Sequence, residues 1–224
     1  KTFLIYSFAI ANLSEKIFDN NSIFNYLSQI DRSKANNYSK ALLALCYNIL
    51  GNKNEMEKIN YELSNNTSYV DNMAYWKGKS WHYNWQDDEI ETTAFVLKSL
   101  IAQNINDGKI EKGIQYLLYK KSGDSWNSTK QTAVIILALN DYLKKSSDLN
   151  TNYTMKVFVN DRFVFEKKMT KDDIFRKEEK RVIDGSYLRH GENKIRIEKQ
   201  GQGKLYVTNR MLSFTTEENI APSG

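Results

Sequence analysis

The stretch Trp81–Leu143, WHYNWQDDEIETTAFVLKSLIAQNINDGKIEKGIQYLLYKKSGDSWNSTKQTAVIILALNDYL, carries the signals that decide the architecture. Asp88 can cap a helix, and Glu91 stands three residues on, the spacing of a capping box. Asp107-Gly108 separates that helix from a second one. A Gly123-Asp124-Ser125-Trp126 turn follows, and Ser128 with Gln131 opens a third helix in the same way. The run Val134-Ile135-Ile136-Leu137-Ala138-Leu139 is apolar on all sides, which in a globular protein predicts a helix enclosed by others. Ile136 and Leu137 are therefore expected to be almost fully buried. The second helix is one-sided, with Ile110, Gly113, Ile114, Leu117 and Leu118 on one face and Lys112, Lys120 and Lys121 mostly off it. Trp126 is expected to fold back onto the layer at the turn, since the glycine before it frees the backbone.

The same alternation runs upstream. Phe3–Leu13 is apolar on every side, as an enclosed helix would be, whereas Ile23, Leu27 and Ile30 mark a one-sided helix. After Asn36-Asn37, Tyr38–Leu50 returns to the all-round type, and Gly51 ends it as a left-handed cap. Asn52 with Glu55 opens a helix whose apolar face is Met56, Ile59 and Leu63. Enclosed and one-sided helices in alternation form a repeat architecture, in which each hairpin buries its inner helix only against its neighbours. Periodicity leaves both an open superhelix and a closed ring possible. Residues 64–85 make a long connection rich in aromatics, with Trp76, Trp81, Tyr83 and Trp85, expected to cover one end of the helical layer rather than to hold a ligand.

Beyond Lys145-Ser146-Ser147 the period becomes two. Met155, Val157 and Val159 alternate with polar and aromatic neighbours, Asn160-Asp161 reads as a hairpin turn into Phe163-Val164-Phe165, and Ile195 and Ile197 alternate with charges. Leu205, Val207, Leu212 and Phe214 suggest a further strand or pair, with Gly185, Gly191, Gly201 and Gly203 as turns. The fold expected is therefore multidomain α and β: alternating inner and outer helices over 1–148, then an antiparallel β-sandwich over 151–218.

The chain has 224 residues, 41% hydrophobic and 26% charged, an ordinary composition for a globular protein with a core. No apolar run approaches the ~18 residues of a membrane span. The sequence opens on Lys1 with no basic-then-apolar leader and is taken as a piece of a longer polypeptide. The single cysteine, Cys46, excludes an internal disulfide. Net charge is +5; residues 1–150 hold 17 basic against 16 acidic side chains and the remainder 15 against 11. The excess is interspersed with acids, as in Lys177-Glu178-Glu179-Lys180, so nucleic acid is not an expected partner.

Three blocks carry a family resemblance: Ile-Glu-Thr-Thr-Ala-Phe at 90–95, Lys-Gly-Ile-Gln-Tyr-Leu-Leu at 112–118 and Trp-Asn-Ser-Thr-Lys-Gln-Thr at 126–132. They resemble, in order, the end of the thioester-domain toroid of the bacterial α2-macroglobulin family. Tyr38–Asn52 (YSKALLALCYNILGN) and Ala74-Tyr75-Trp76 are similar to earlier parts of that toroid. Gly191-Glu192-Asn193-Lys194-Ile195 and Gly201-Gln202-Gly203-Lys204-Leu205-Tyr206 are similar to the macroglobulin-type β-domain that follows it. The resemblance implies an α/α-toroid, of which this is the later part. It also implies a role in a protease inhibitor that entraps its target after cleavage of a bait segment elsewhere. The partners implied are proteases, met by the intact protein, and the other macroglobulin domains of that protein. The compartment implied is periplasmic or extracellular, with a membrane contact only through a lipid anchor outside this sequence.

Thioester-bearing relatives carry Cys-x-Glu-Gln, but Cys46 is followed by Tyr47-Asn48-Ile49 inside an apolar helix, where a lone cysteine packs as a small hydrophobe. The acids Asp87-Asp88-Glu89 and Glu91 invite comparison with terpenoid cyclases and prenyltransferases, toroids that use acidic clusters. A similar turn at Gly123-x-Ser125-Trp126 keeps that alternative open, although Lys120 stands where a glutamine is expected. Acids at a helix start also offset its dipole, at ~0.3–1 kcal/mol each, and this is the reading favoured. A stand-alone helical-repeat binding module is the third possibility. His82 and His190 lie in different predicted domains, without a nucleophile or metal-ligand spacing beside them. No catalytic, cofactor-binding or metal-binding residue is expected.

Overall fold

The computed structural model describes residues 2–15, 19–78, 88–103, 107–122, 125–146, 150–173, 181–207 and 209. Seven helices fall among them: α1 (Thr2–Glu15), α2 (Asn20–Ser28), α3 (Asn37–Ile49), α4 (Lys53–Asn65), α5 (Glu89–Gln103), α6 (Gly108–Tyr119) and α7 (Thr129–Lys145). Their starts are set by side chains that satisfy orphan amides. Asn36 accepts from Ser39 N at 2.9 Å, Asn52 from Glu55 N at 3.2 Å, Asp88 from Glu91 N at 2.7 Å and Ser128 from Gln131 N at 3.1 Å. The capping boxes are half-made, because Glu91 and Gln131 send their side chains to other helices rather than back to their own caps. Gly51 closes α3 with φ +78, a conformation that glycine adopts at little cost.

The odd-numbered helices form one row, with α1 against α3, α3 against α5 and α5 against α7. The even-numbered helices lie outside it, α2 on α1, α4 on α3 and α6 on α5. The core is continuous through the row. Leu42, Leu97, Ile101, Ile59, Leu63, Ile114 and Leu117 are all buried, each contributing about 1.5–3 kcal/mol. Gly113 lets α6 approach α5 closely, since an added Cβ would sit 2.6 Å from Leu97 Cδ2.

Two enclosed-helix expectations are corrected. Ile136 and Leu137 on α7 are 54% and 52% exposed, and only Gln131, Ile135, Ala138 and Tyr142 of that helix are buried. On α1, Leu4 and Leu13 are 57% and 63% exposed, and among its described side chains only Tyr6 and Ala9 are buried. The physical reason is position in the row: among the described elements α3 and α5 have an inner neighbour on both sides, whereas α1 and α7 stand at its ends and have one. Apolar periodicity reports what a helix can bury, not what stands beside it.

The described part of the aromatic connection, residues 64–78, is structured. A short antiparallel hairpin, β1 (Ser68–Val70) and β2 (Met73–Tyr75), follows α4 and leads into a fully buried Trp76. The Trp76 indole Nε1–H donates to Leu63 O at 2.6 Å, and its backbone amide to Thr93 Oγ1 at 3.0 Å. Trp126 repeats the device: its indole donates to Leu117 O at 2.8 Å and its amide to Thr132 Oγ1 at 3.2 Å. In both cases a tryptophan satisfies a carbonyl in the last turn of an outer helix and is itself held by a threonine of the next inner helix. The expected packing of Trp126 is thus found. Trp81, His82, Tyr83, Trp85, Asp87, Gly123 and Asp124 lie outside the described residues.

After α7 comes an antiparallel sheet ordered β4-β3-β5, with β3 (Asn152–Val159), β4 (Arg162–Met169) and β5 (Ile195–Gln202). Asn160 and Asp161 both have positive φ, +50 and +65, as the hairpin reading of those residues requires. The Asn160 side chain then accepts from Lys194 N at 3.0 Å and donates to Tyr187 O at 2.8 Å, pinning the loop ahead of β5. Gly201 is corrected from a turn to a strand position opposite Tyr153, with φ +117 and only 2.4 Å between a would-be Cβ and Asn152 O. Leu205 and Val207 are not in a strand, and Leu212 and Phe214 lie outside the described residues. Lys204 reaches back to the helices, donating to Glu111 Oε1 at 2.7 Å and Tyr142 Oη at 2.6 Å.

Candidate functional site: the polar end of the inner helices

The capped starts of α3, α5 and α7 bring one group of polar side chains together. Glu91, 2% exposed, accepts from Tyr38 Oη at 3.2 Å and pairs with Lys130 Nζ at 2.8 Å. Asp88 accepts from the Gln131 amide of α7, and Glu89 from the Tyr116 hydroxyl of α6. Lys130 also lies 5.5 Å from the centre of the Phe3 ring, bringing α1 to the same end. Burial pushes the Glu91 carboxyl above its usual range, against the opposing pull of Lys130 and Tyr38.

This arrangement accounts for each acid of the 88–91 cluster as a joint between elements. Asp88 caps α5 and ties it to α7; Glu89 ties α5 to α6; Glu91 ties α5 to α3 and α7. Tyr38 and Lys130 were missed by sequence reasoning. Neither stands near Glu91 in the chain, and only the repeat register, which places all three near their own helix caps, could have paired them. Among the described residues no group of three His, Cys, Asp or Glu is placed to share a metal ion. The buried atoms Gln131 Oε1 and Thr92 Oγ1 have no hydrogen-bond partner.

Cys46 is fully buried in α3, and burial raises its pKa to about 12. A thiol so protonated is a poor nucleophile, because the thiolate is the reactive form. His190 is exposed on the loop before β5, in a different part of the chain from the acidic group.

Comparison with known proteins agrees with this architecture. No curated protein matches the chain. A family model described as A-macroglobulin TED domain matches residues 6–142, the span from α1 nearly to the end of α7. That is more than half of the 224 residues, and it takes in all or most of each of the seven α-helices. With alternating inner and outer helices, a β part after them, and this match, the chain belongs to the A-macroglobulin family, as a thioester-domain protein of the macroglobulin type.

Proposed function

We propose that this chain is a non-catalytic part of an α2-macroglobulin-like protease inhibitor of bacterial type, with residues 1–148 the later portion of its toroid. Residues 151–218 would form a macroglobulin-type β-sandwich, of which β3, β4 and β5 are one sheet. The observation that carries the reading is the A-macroglobulin TED match over residues 6–142. Two features support a scaffold role. The described acids of the cluster, Asp88, Glu89 and Glu91, are engaged in capping and joining helices, and the cysteine is sealed in the core. The intact protein would meet proteases in the periplasm or outside the cell and hold them by rearranging around them.

Entrapment has a physical signature that separates it from active-site inhibition. A trapped protease is caged and not blocked, so it still cleaves small chromogenic peptides while losing activity on large protein substrates. The test is to incubate the protein that contains this sequence with several endopeptidases and measure both activities. Loss of large-substrate cleavage alone is expected; equal loss of both, or of neither, overturns the proposal. The 224-residue chain by itself should form no denaturant-resistant adduct with any of them, as read by mass spectrometry.

A further inference from the structure

The β part reaches the helical layer through the short segment that ends β5. Gly203 has φ +106, and a Cβ there would stand 2.9 Å from Thr151 Oγ1 and 3.1 Å from Thr151 Cα. The chain therefore crosses the start of the β part too closely for any side chain, and in doing so turns away from β5 toward the helices. That turn presents Lys204. Its ammonium donates to Glu111 Oε1 on α6 at 2.7 Å and to Tyr142 Oη on α7 at 2.6 Å, and lies 5.3 Å from the centre of the Tyr142 ring. One side chain thus grips an outer and an inner helix together. Tyr142 is buried, a fixed point in the helical core, whereas Lys204 and Glu111 are both well exposed. Among the described elements no helix packs extensively on β3, β4 or β5.

We propose that residues 201–204 form a charge-operated strap: Lys204 holds the β part at one angle to the helices, and screening or reversing its charge lets the β part swing about its connection to α7. The two ends of the strap are held by different physics. Its base is fixed to β3 by shape, through the close approach of Gly201 to Asn152 O and of Gly203 to Thr151, and salt does not act on shape. Its tip is held by an ion pair and a cation–π contact that counterions reach. An exposed pair of this kind shifts a two-state balance by no more than roughly fivefold. Held and released arrangements therefore coexist, and modest changes in ionic conditions move the balance between them. The inference rests on these contacts alone and is independent of protease inhibition.

The test is a spin-label distance measurement on the whole chain, with labels at Glu57→Cys on α4 and Lys168→Cys on β4, both exposed positions. Cys46 is buried and takes no label. In low salt one distance should dominate. Lys204→Glu, which sets two carboxylates against each other, should raise the population at other distances at least roughly twofold. About 1 M salt, where the screening length falls to about 3 Å, should do the same to the parent. Adding Glu111→Lys to Lys204→Glu should restore the dominant distance, because the Tyr142 hydroxyl donates to a carboxylate as readily as it accepts from an ammonium. The altered residues are exposed, so the variants keep the fold, which circular dichroism checks. A distribution unchanged by Lys204→Glu, or a parent distribution indifferent to salt, overturns the proposal. So does a charge swap that fails to restore the dominant distance, since the ion pair would then not be what holds the strap.

Discussion

The Cys46 thiol lies inside α3 with no exposed surface and a pKa raised to about 12, so at neutral pH it is neither reachable nor ionised. Iodoacetamide should leave it unmodified in the native chain and alkylate it fully in denaturant; rapid native labelling, read by intact mass, would contradict the assignment. Glu91 makes a different prediction. Its folded pKa lies above the ordinary carboxylate value because burial penalises the charge. As pH rises from that ordinary value through the folded pKa, the native state holds a proton that the unfolded chain has released, and stability falls. Replacing Glu91 by Gln removes the titration. The variant's thermal midpoint should therefore vary less with pH across that window than the parent's, and an unchanged pH profile would rule out a raised carboxyl. At this scale the caps Asn52, Asp88 and Ser128 were legible, because they act through their own neighbours, whereas Asn36, which caps α3, was read only as a break between helices. The Tyr38–Glu91–Lys130 joint was not, because it forms between helices far apart in the chain.

Among elements, the two tryptophans test the repeat. Trp126→Phe keeps most of the ring but withdraws the N–H from Leu117 O, leaving a buried carbonyl unpaired at about 1–3 kcal/mol. Trp76→Phe leaves Leu63 O its bond from the Asn66 amide at 3.1 Å, so its cost of about 1 kcal/mol or more comes from the lost indole bond and the packing lost by the smaller ring. Urea unfolding measures both; losses under about 0.5 kcal/mol would remove the structural role given to the indoles. In the sheet, Gly201→Ala must place a Cβ against Asn152 O at φ +117, so a loss of about 1–3 kcal/mol is expected, with β5 the first strand to lose hydrogen-exchange protection. Legibility differed between elements for a physical reason. The span of α3 was readable as an enclosed helix, and it has an inner neighbour on each side. The same apolar signal in α1 and α7 could not show that each has an inner helix on one side only among the described elements.

For the whole molecule, the alternation of inner and outer helices and the change of period near residue 150 were readable, because both are repeated over many residues. A contact between the β part and the helices was not, since Lys204 meets Glu111 and Tyr142 across a large sequence gap. Lys204 and Glu111 are both well exposed, so Lys204→Ala should cost no more than about 1 kcal/mol. Its effect belongs instead in the protection of residues 203–207, which should exchange faster in the variant. The lysines at the helix ends carry a further consequence. Lys109 of α6 donates to Ser64 O at the end of α4, and Lys145 of α7 donates to Ile101 O and Ala102 O at the end of α5. Each donor comes from a later hairpin than the carbonyls it serves, so these seals all point backward along the chain. Fraying should accordingly have a direction. Proteolytic loss of α7 strips the end of α5, loss of α6 strips the end of α4, and loss of α1 leaves both seals closed.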